Sequence, residues 1–118
     1  MRIAVKGRNM PVTEELREHV QKRFAKVARQ VSELAELEVE LTEERNPANA
    51  DRFVAEATLH LKRVTLRATD ASPDVMHSIK LCGEEMAVQV KRDREKRRKR
   101  REARTPGAAV ETDISPAA

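Results

Sequence analysis

The residues of this chain best equipped to do chemistry are cationic, and most of them sit in one run. From Lys91 to Arg104 the sequence KRDREKRRKRREAR carries ten Lys and Arg against three Asp and Glu, a net of +7 in fourteen residues. The whole chain sums to +4 and residues 105–118 to −2, through Glu111 and Asp113, which leaves −1 for the first 90 residues. The basicity is therefore local. No hydrophobic core can accept such a run, and a concentrated positive stripe is the electrostatic footprint of a partner with a phosphate backbone. A second, smaller set comprises Lys22, Arg23, Lys26 and Arg29. These four lie off the apolar face of an earlier helix, and taken alone they are better accounted for by an ordinary solvated helix surface than by an RNA contact.

Other chemistry finds no support in the spacing. His19, His60 and His77 share no metal-ligand interval, and neither CxxC nor HExxH occurs, so no metal is expected. Cys82 falls on an apolar helical stripe and reads as a small buried hydrophobe; as the single cysteine it has no intramolecular disulfide partner. The pairs Glu14-Glu15, Glu43-Glu44 and Glu84-Glu85 are sequence neighbours whose side chains diverge, and they read as solvated charge. Three scattered glycines make no phosphate-binding loop, and no Ser/His/Asp arrangement appears. The reading is a non-enzymatic module without a cofactor or small-molecule substrate. Only Phe24 and Phe53 are aromatic, so bases cannot be read by stacking and a nucleic acid would be recognised by shape and phosphate position. The opening MRIAVKGRN lacks the apolar core of a signal peptide, and no segment approaches the roughly 20 apolar residues of a membrane span. A soluble, cytoplasmic protein is expected.

The elements that must position these cations follow from periodicity. Ile3 and Val5 alternate with Arg2, Ala4 and Lys6 in a short strand that Gly7 is expected to end. Thr13 is the N-cap of a first helix, with Glu14 and Glu15 in its first turn and Leu16, Val20, Phe24, Val27 and Val31 along its buried face. Leu37, Val39 and Leu41 alternate with Glu38, Glu40 and Thr42 in a second strand. The loop Asn46-Pro47-Ala48-Asn49-Ala50 leads to a third strand, in which Phe53, Ala55, Ala57, Leu59 and Leu61 share a face. Lys62-Arg63 separates it from a fourth, Val64 to Thr69. Ser72 is read as the N-cap and Pro73 as the first residue of a last long helix reaching Arg104. On its first half Val75, Ile79, Cys82, Met86 and Val90 recur at steps of three and four. The order predicts an α+β fold, β-α-β-β-β-α. Its four-stranded sheet has one parallel pair, an antiparallel meander and two helices covering one face. Residues 1–104 form the domain, and 105–118 read as a disordered tail.

Those residues, in that order, resemble the ribosome hibernation-promoting factor and ribosome-associated inhibitor A family. Gly7-Arg8-Asn9-Met10 and Val12 to Val20 are similar to the family's opening strand and first helix, and Arg23-Phe24-Ala25-Lys26-Val27 continues it. Ala55 to Leu61 is similar to the third strand. Asp74-Val75-Met76, Ile79, Met86, Gln89 and Val90 match the last helix. The resemblance implies a fold akin to double-stranded RNA-binding domains. It further implies docking in the small-subunit channel used by messenger and transfer RNA, so that idle ribosomes are silenced. The family's rRNA-facing positions match Arg23, Lys26, Arg92 and Lys96. Where the family usually has Lys and Arg this chain has Glu85 and Val88, and the run after Lys91 would supply replacements. Gly83 replaces an apolar residue and predicts a soft point in the helix. The tail resembles, in position and acidity, an extension of the short inhibitor that lies along the messenger path and opposes ribosome pairing.

The combined expectation is a monomer off the ribosome whose partners are the small ribosomal subunit and its rRNA, with no membrane contact. Its RNA-binding residues would be Lys22, Arg23, Lys26, Arg29, Lys91, Arg92, Arg94, Lys96, Arg97, Lys99 and Arg100. Two other readings stay open: a protein-interaction module whose basic helix only confers solubility, and a generic binder of structured RNA.

Overall fold

The computed structural model describes residues 1–46 and 48–104; Pro47 of the second loop and the expected tail, 105–118, lie outside the described residues. Four strands, β1 (Arg2–Arg8), β2 (Glu36–Glu43), β3 (Phe53–His60) and β4 (Thr65–Ser72), form one sheet in the order β1-β2-β3-β4. β1 runs parallel to β2, and the other two pairs are antiparallel. Between β1 and β2 the chain makes two helices, α1 (Glu14–Arg23) and α2 (Ala25–Ala28), and after β4 a single helix, α3, covers Val75–Arg104. Alternation places Leu37, Val39 and Leu41 of β2 and Ala55, Ala57 and Leu59 of β3 under the helices, where all six are buried. Val20, Phe24 and Val27 close the core from one side and Ile79, Cys82, Met86 and Val90 from the other.

Local rules explain most of the element ends. The Thr13 hydroxyl accepts the Leu16 N–H at 3.2 Å and caps α1. The Leu61 N–H donates to the Val64 carbonyl at 2.9 Å, which closes the β3–β4 hairpin around Lys62 and Arg63.

Several boundaries differ from the sequence reading, each for a packing reason. Gly7 does not end β1 but pairs with Leu41 inside it. The turn is made by Asn9 at φ 63°, a left-handed conformation that Asn tolerates. Gly7 is needed because a Cβ there would collide with the Met10 carbonyl and with Val12 as the chain doubles back. The first helix is two helices: Phe24 leaves the helical region at φ −102°, ψ 8°. β4 continues to Ser72, so Ser72 is not the helix cap. Asp74 takes that place, its carboxylate accepting the Met76 N–H at 3.4 Å, with Pro73 before it. Ser72 instead joins a buried polar knot. Its hydroxyl lies 2.7 Å from that of Ser78, which donates to the Phe53 carbonyl at 2.7 Å and fastens the start of α3 to the sheet.

Gly83 proves to be a contact rather than a soft point. It is buried within an unbroken α3, and the carbonyl oxygen of Arg23 lies 2.7 Å from where its Cβ would be. The two helices touch backbone to backbone at the place where the first one breaks, and only glycine permits that approach.

Candidate nucleic-acid interface

α3 is anchored by its first half and carries its charge on its second. Val90 is its last fully buried residue, and the fourteen residues after it extend the helix by about 20 Å at 1.5 Å per residue. Of those whose side chains are described, only Asp93 and Arg97 are partly covered; Lys91, Arg92, Arg94, Lys96, Lys99 and Arg100 are exposed. The Arg97 Nε donates to Asp93 Oδ2 at 3.1 Å one turn back, an intrahelical pair that orients the Arg97 guanidinium.

Helix geometry sorts these cations onto two sides. Arg92, Lys96 and Lys99 continue a line that begins at Glu85 and Val88, with steps of three and four. Arg94, Arg97 and Arg101 continue instead the line of Gly83 and Val90, roughly 170° away around the axis at 100° per residue. Glu85 and Val88 are exposed, so the outer line opens with a carboxylate and an apolar group and turns cationic only at Arg92. On the inner side α3 passes over the end of the sheet and bounds a cleft shared with Gln30, Val31, Leu61 and Lys62.

The four cations of the first helical region, Lys22, Arg23, Lys26 and Arg29, are all exposed. The Arg23 carbonyl meets Gly83 and Gln30 lines the cleft beside Arg94, so the segment that carries them tracks α3 from its middle to its basic half. They therefore neighbour the inner side of α3, while Arg92, Lys96 and Lys99 lie on the outer one. Lys62, Arg98 and Arg101 belong to the cleft, and sequence reasoning does not single them out. The repeat 90-94-97-101, which continues the apolar stripe, is the signal that marks Arg94, Arg97 and Arg101 as facing inward.

The other face of the sheet is balanced in charge: Arg2, Lys6, Arg8 and Arg67 share it with Glu36, Glu38, Glu40 and Glu56. Glu36 and Glu38 of β2 are exposed there, and Glu40 lies directly across from Glu56 of β3. Arg2 pairs with Glu36 at 3.3 Å and His60 with Glu38 at 3.8 Å. The four bases and four acids of this face cancel, so the concentrated positive charge of the molecule lies on α3.

Two groups are electrostatically perturbed. Burial pushes the Cys82 thiol up to about 12, with the Asp70 carboxylate adding to the effect, so it stays protonated and unreactive. Asp70 of β4 is raised to about 6, first by burial and then by the Glu85 carboxyl beside it. Asp70 escapes sequence reading because β4 runs past Thr69, which turns it toward α3. Among the described residues no cluster of three or more His, Cys, Asp or Glu could hold a metal ion, and no helix is long and apolar enough to cross a membrane.

Residues 3–98, which span the sheet and all but the end of α3, match the family model described as Sigma 54 modulation protein / S30EA ribosomal protein. The chain belongs to that family. A ribosome hibernation promotion factor from Picosynechococcus sp. is 27% identical over 97 residues, 81% of this chain and 50% of that protein. This S30EA-family chain thus spans about half the length of that curated relative. The fold is similar to the crystal structure of the N-terminal domain of Protein Y from Thermus thermophilus, with TM-score 0.66, 25% identity, and 78% and 98% of the two chains covered. It is also similar in fold to a ribosomal subunit interface protein from Coxiella burnetii, with TM-score 0.68, 16% identity, and 80% and 99% covered. The family and the four-stranded α+β architecture are those the resemblance implied.

Proposed function

We propose that this chain is a ribosome hibernation factor that binds rRNA in the small-subunit decoding channel of idle ribosomes and inhibits translation by excluding messenger and transfer RNA. The observation that carries the reading is the basic half of α3. It extends beyond the last core contact, in a family whose relatives are named for ribosome hibernation and the subunit interface. The outer face of the sheet has no net charge, so the cationic excess on α3 supports a one-sided approach to phosphate. No step of chemistry is required, since occupying the channel is itself the inhibition. Arg23, Lys26, Arg92 and Lys96 are the proposed rRNA contacts, with the remaining cations of the run adding long-range attraction.

Co-sedimentation with vacant ribosomes in a low-salt sucrose gradient tests the reading: the protein should travel with the small subunit and should suppress translation in a reconstituted system. Recovery entirely at the top of the gradient, with ribosomes in excess, overturns it in favour of a protein-interaction module. If roughly 6 phosphates are neutralised, log K should fall with log salt at a slope of about −4 to −5. A flat dependence would indicate protein contacts instead.

A further inference from the structure

The two edges of the sheet are protected unequally. The β3–β4 hairpin bonds Leu61 to Val64, which turns the backbone of Thr65, Arg67 and Thr69 toward the free side of β4. There the Gln89 amide reaches over from α3 and donates to the Arg67 carbonyl. Asp70 adds an inward-facing charge, a second device that keeps further strands from joining. β1 has neither. The Arg2 N–H donates to the Ala35 carbonyl on the β2 side, so Arg2, Ala4 and Lys6 bond to β2 while the N–H and C=O groups of Ile3 and Val5 point away from the sheet. Among the described residues none of these outward groups has a hydrogen-bond partner. The side chains of Ile3 and Val5 are also only half-buried, whereas Leu37, Val39 and Leu41 beside them are fully buried.

What fits this edge is defined by the strand that covers the other side of β1. β2 lays Leu37-Glu38-Val39-Glu40-Leu41 along Ile3 to Gly7 in parallel register. Its apolar groups lie beside Ile3 and Val5 on the inner face, and Glu40 lies beside Lys6 on the outer one. The same alternation with two acids recurs in the chain, outside the described residues, at Val110-Glu111-Thr112-Asp113-Ile114. Its three alternate positions Val110, Thr112 and Ile114 are all β-branched, which suits a strand. Its two acids match the cations Arg2, Lys6 and Arg8 on the outer face of β1. A second β1 does not fit, because pairing two copies sets these cations against one another.

We propose that residues 110–114 of a second copy of the chain add to the open edge of β1 as a fifth strand, parallel to it. Val110 and Thr112 lie opposite Ile3 and Val5, Asp113 lies opposite Lys6, and Glu111 falls between Arg2 and Lys6. The chain's own segment falls short of this position. Val90 borders the same cleft as Leu61, at the end of the sheet where β1 begins, and Arg104 stands about 20 Å beyond it. β1 is three strand spacings, roughly 14 Å, from β4, on which α3 packs. The separation is about 24 Å before the height of the helix above the sheet is counted, against roughly 20 Å for six extended residues from Arg104 to Val110. Two copies that exchange segments reciprocally cover both open edges. The monomer expected from sequence is then the dilute form. The edge is separate from the basic half of α3, so the proposal does not rest on the ribosome reading.

The test is analytical ultracentrifugation and amide hydrogen exchange on the full chain, from about 10 µM to 1 mM protein at about 150 mM salt. The average mass should rise with concentration toward that of two chains, and the Ile3 and Val5 amides should gain at least tenfold protection in step with it. Two double variants raise the charge equally, by two: Glu111→Gln with Asp113→Asn, and Ala108→Lys with Ala118→Lys. All four positions follow α3, so the sheet is untouched. The first pair should weaken association at least fivefold and the second less than twofold. Val110→Ser with Ile114→Ser should weaken it at least fivefold without any change of charge. Equal losses in the charge-matched pairs would show diffuse attraction of an acidic segment to a basic protein and overturn the added strand. Protection of Ile3 and Val5 that is the same at every concentration would overturn the exchange between copies. Association that leaves these two amides unprotected, or a monomeric mass throughout, would overturn the proposal, whether or not the protein co-sediments with ribosomes.

Discussion

The two halves of α3 are one continuous helix built on opposite principles. From Val75 to Val90 the helix is held by what it covers: Ile79, Cys82, Met86 and Val90 are essentially inaccessible to solvent and pack on β3 and β4. From Lys91 to Arg104 nothing comparable holds it. Like charges at four-residue spacing (Arg92 with Lys96, Arg94 with Arg98, Lys96 with Arg100, Arg97 with Arg101) each oppose the helix by about 0.2–0.5 kcal/mol. The opposite-charge pairs at the same spacing (Lys91 with Glu95, Asp93 with Arg97, Glu95 with Lys99, Arg98 with Glu102) return similar amounts, so local pairing gives this half little net support against its overall charge of +7. The second half is therefore helical because the first half has nucleated it, and bound anions would relieve its self-repulsion. Stability and binding have been allotted to different turns of the same element.

That division predicts where a single substitution should hurt the fold most. Ile79→Ala, in the buried half, removes a fully enclosed side chain and should cost about 2–5 kcal/mol, read as a lower denaturant midpoint with an unchanged slope. A loss below about 1 kcal/mol would mean that the first half is not the anchor. Gly83→Ala comes next. On an isolated helix the change would stabilise by up to about 1 kcal/mol, but here the new Cβ meets the Arg23 carbonyl oxygen at 2.7 Å. Overpacking should make it destabilising by about 1–3 kcal/mol. A neutral or stabilising result would show that the helices can separate at no cost.

Gly83 also shows what sequence can and cannot reveal. The strands are readable because one face is buried and the other wet, so Leu37-Val39-Leu41 and Ala55-Ala57-Leu59 declare their faces by alternation alone. The Thr13 cap and the apolar stripe of α3 are readable for the same reason, since each depends on residues within a few positions. The break at Phe24, the need for glycine at 83 and the shift of the cap from Ser72 to Asp74 come from contacts between segments tens of residues apart. A local pattern carries no trace of them. The cleft is the extreme case, because each of its three walls reads separately as an ordinary loop, hairpin or solvated helix.

Asp70 tests the buried half from the sheet side, with a smaller expected effect. Its carboxyl is held to about 6 in the folded state against 3.8 ordinarily, chiefly by burial and next by Glu85. Between those values the folded protein keeps a proton that the unfolded chain has released. Stability from this group is thus greatest below about pH 4, declines as pH rises to about 6, and is level above that. Asp70→Asn should remove this decline and raise stability at pH 7 by about 1 kcal/mol, allowing for partial solvent screening. Thermal melts from pH 4 to 7.5 on both proteins check it. Parallel profiles would mean that the pair with Glu85 is already relaxed by water.

The smallest effect on the fold should come from the largest change of charge. Arg92→Glu with Lys96→Glu moves the basic run from +7 to +3, yet both side chains are exposed and touch no core residue. The mutual repulsion between the two positions survives as repulsion between two carboxylates. Around position 92 a carboxylate gains a repulsive neighbour in Glu95, three residues on. At position 96 it is repelled by Asp93 but attracted by Lys99 and Arg100, so gains and losses nearly cancel. The unfolding midpoint should shift by less than about 0.5 kcal/mol equivalent. Ribosome retention in the same protein should fall at least tenfold at low salt, and its salt slope should become shallower by about 2, one for each phosphate no longer neutralised. Unfolding of the variant would tie the second half of α3 to the core after all. Full retention in a folded variant would remove Arg92 and Lys96 from the interface and leave the inner line to make the contact.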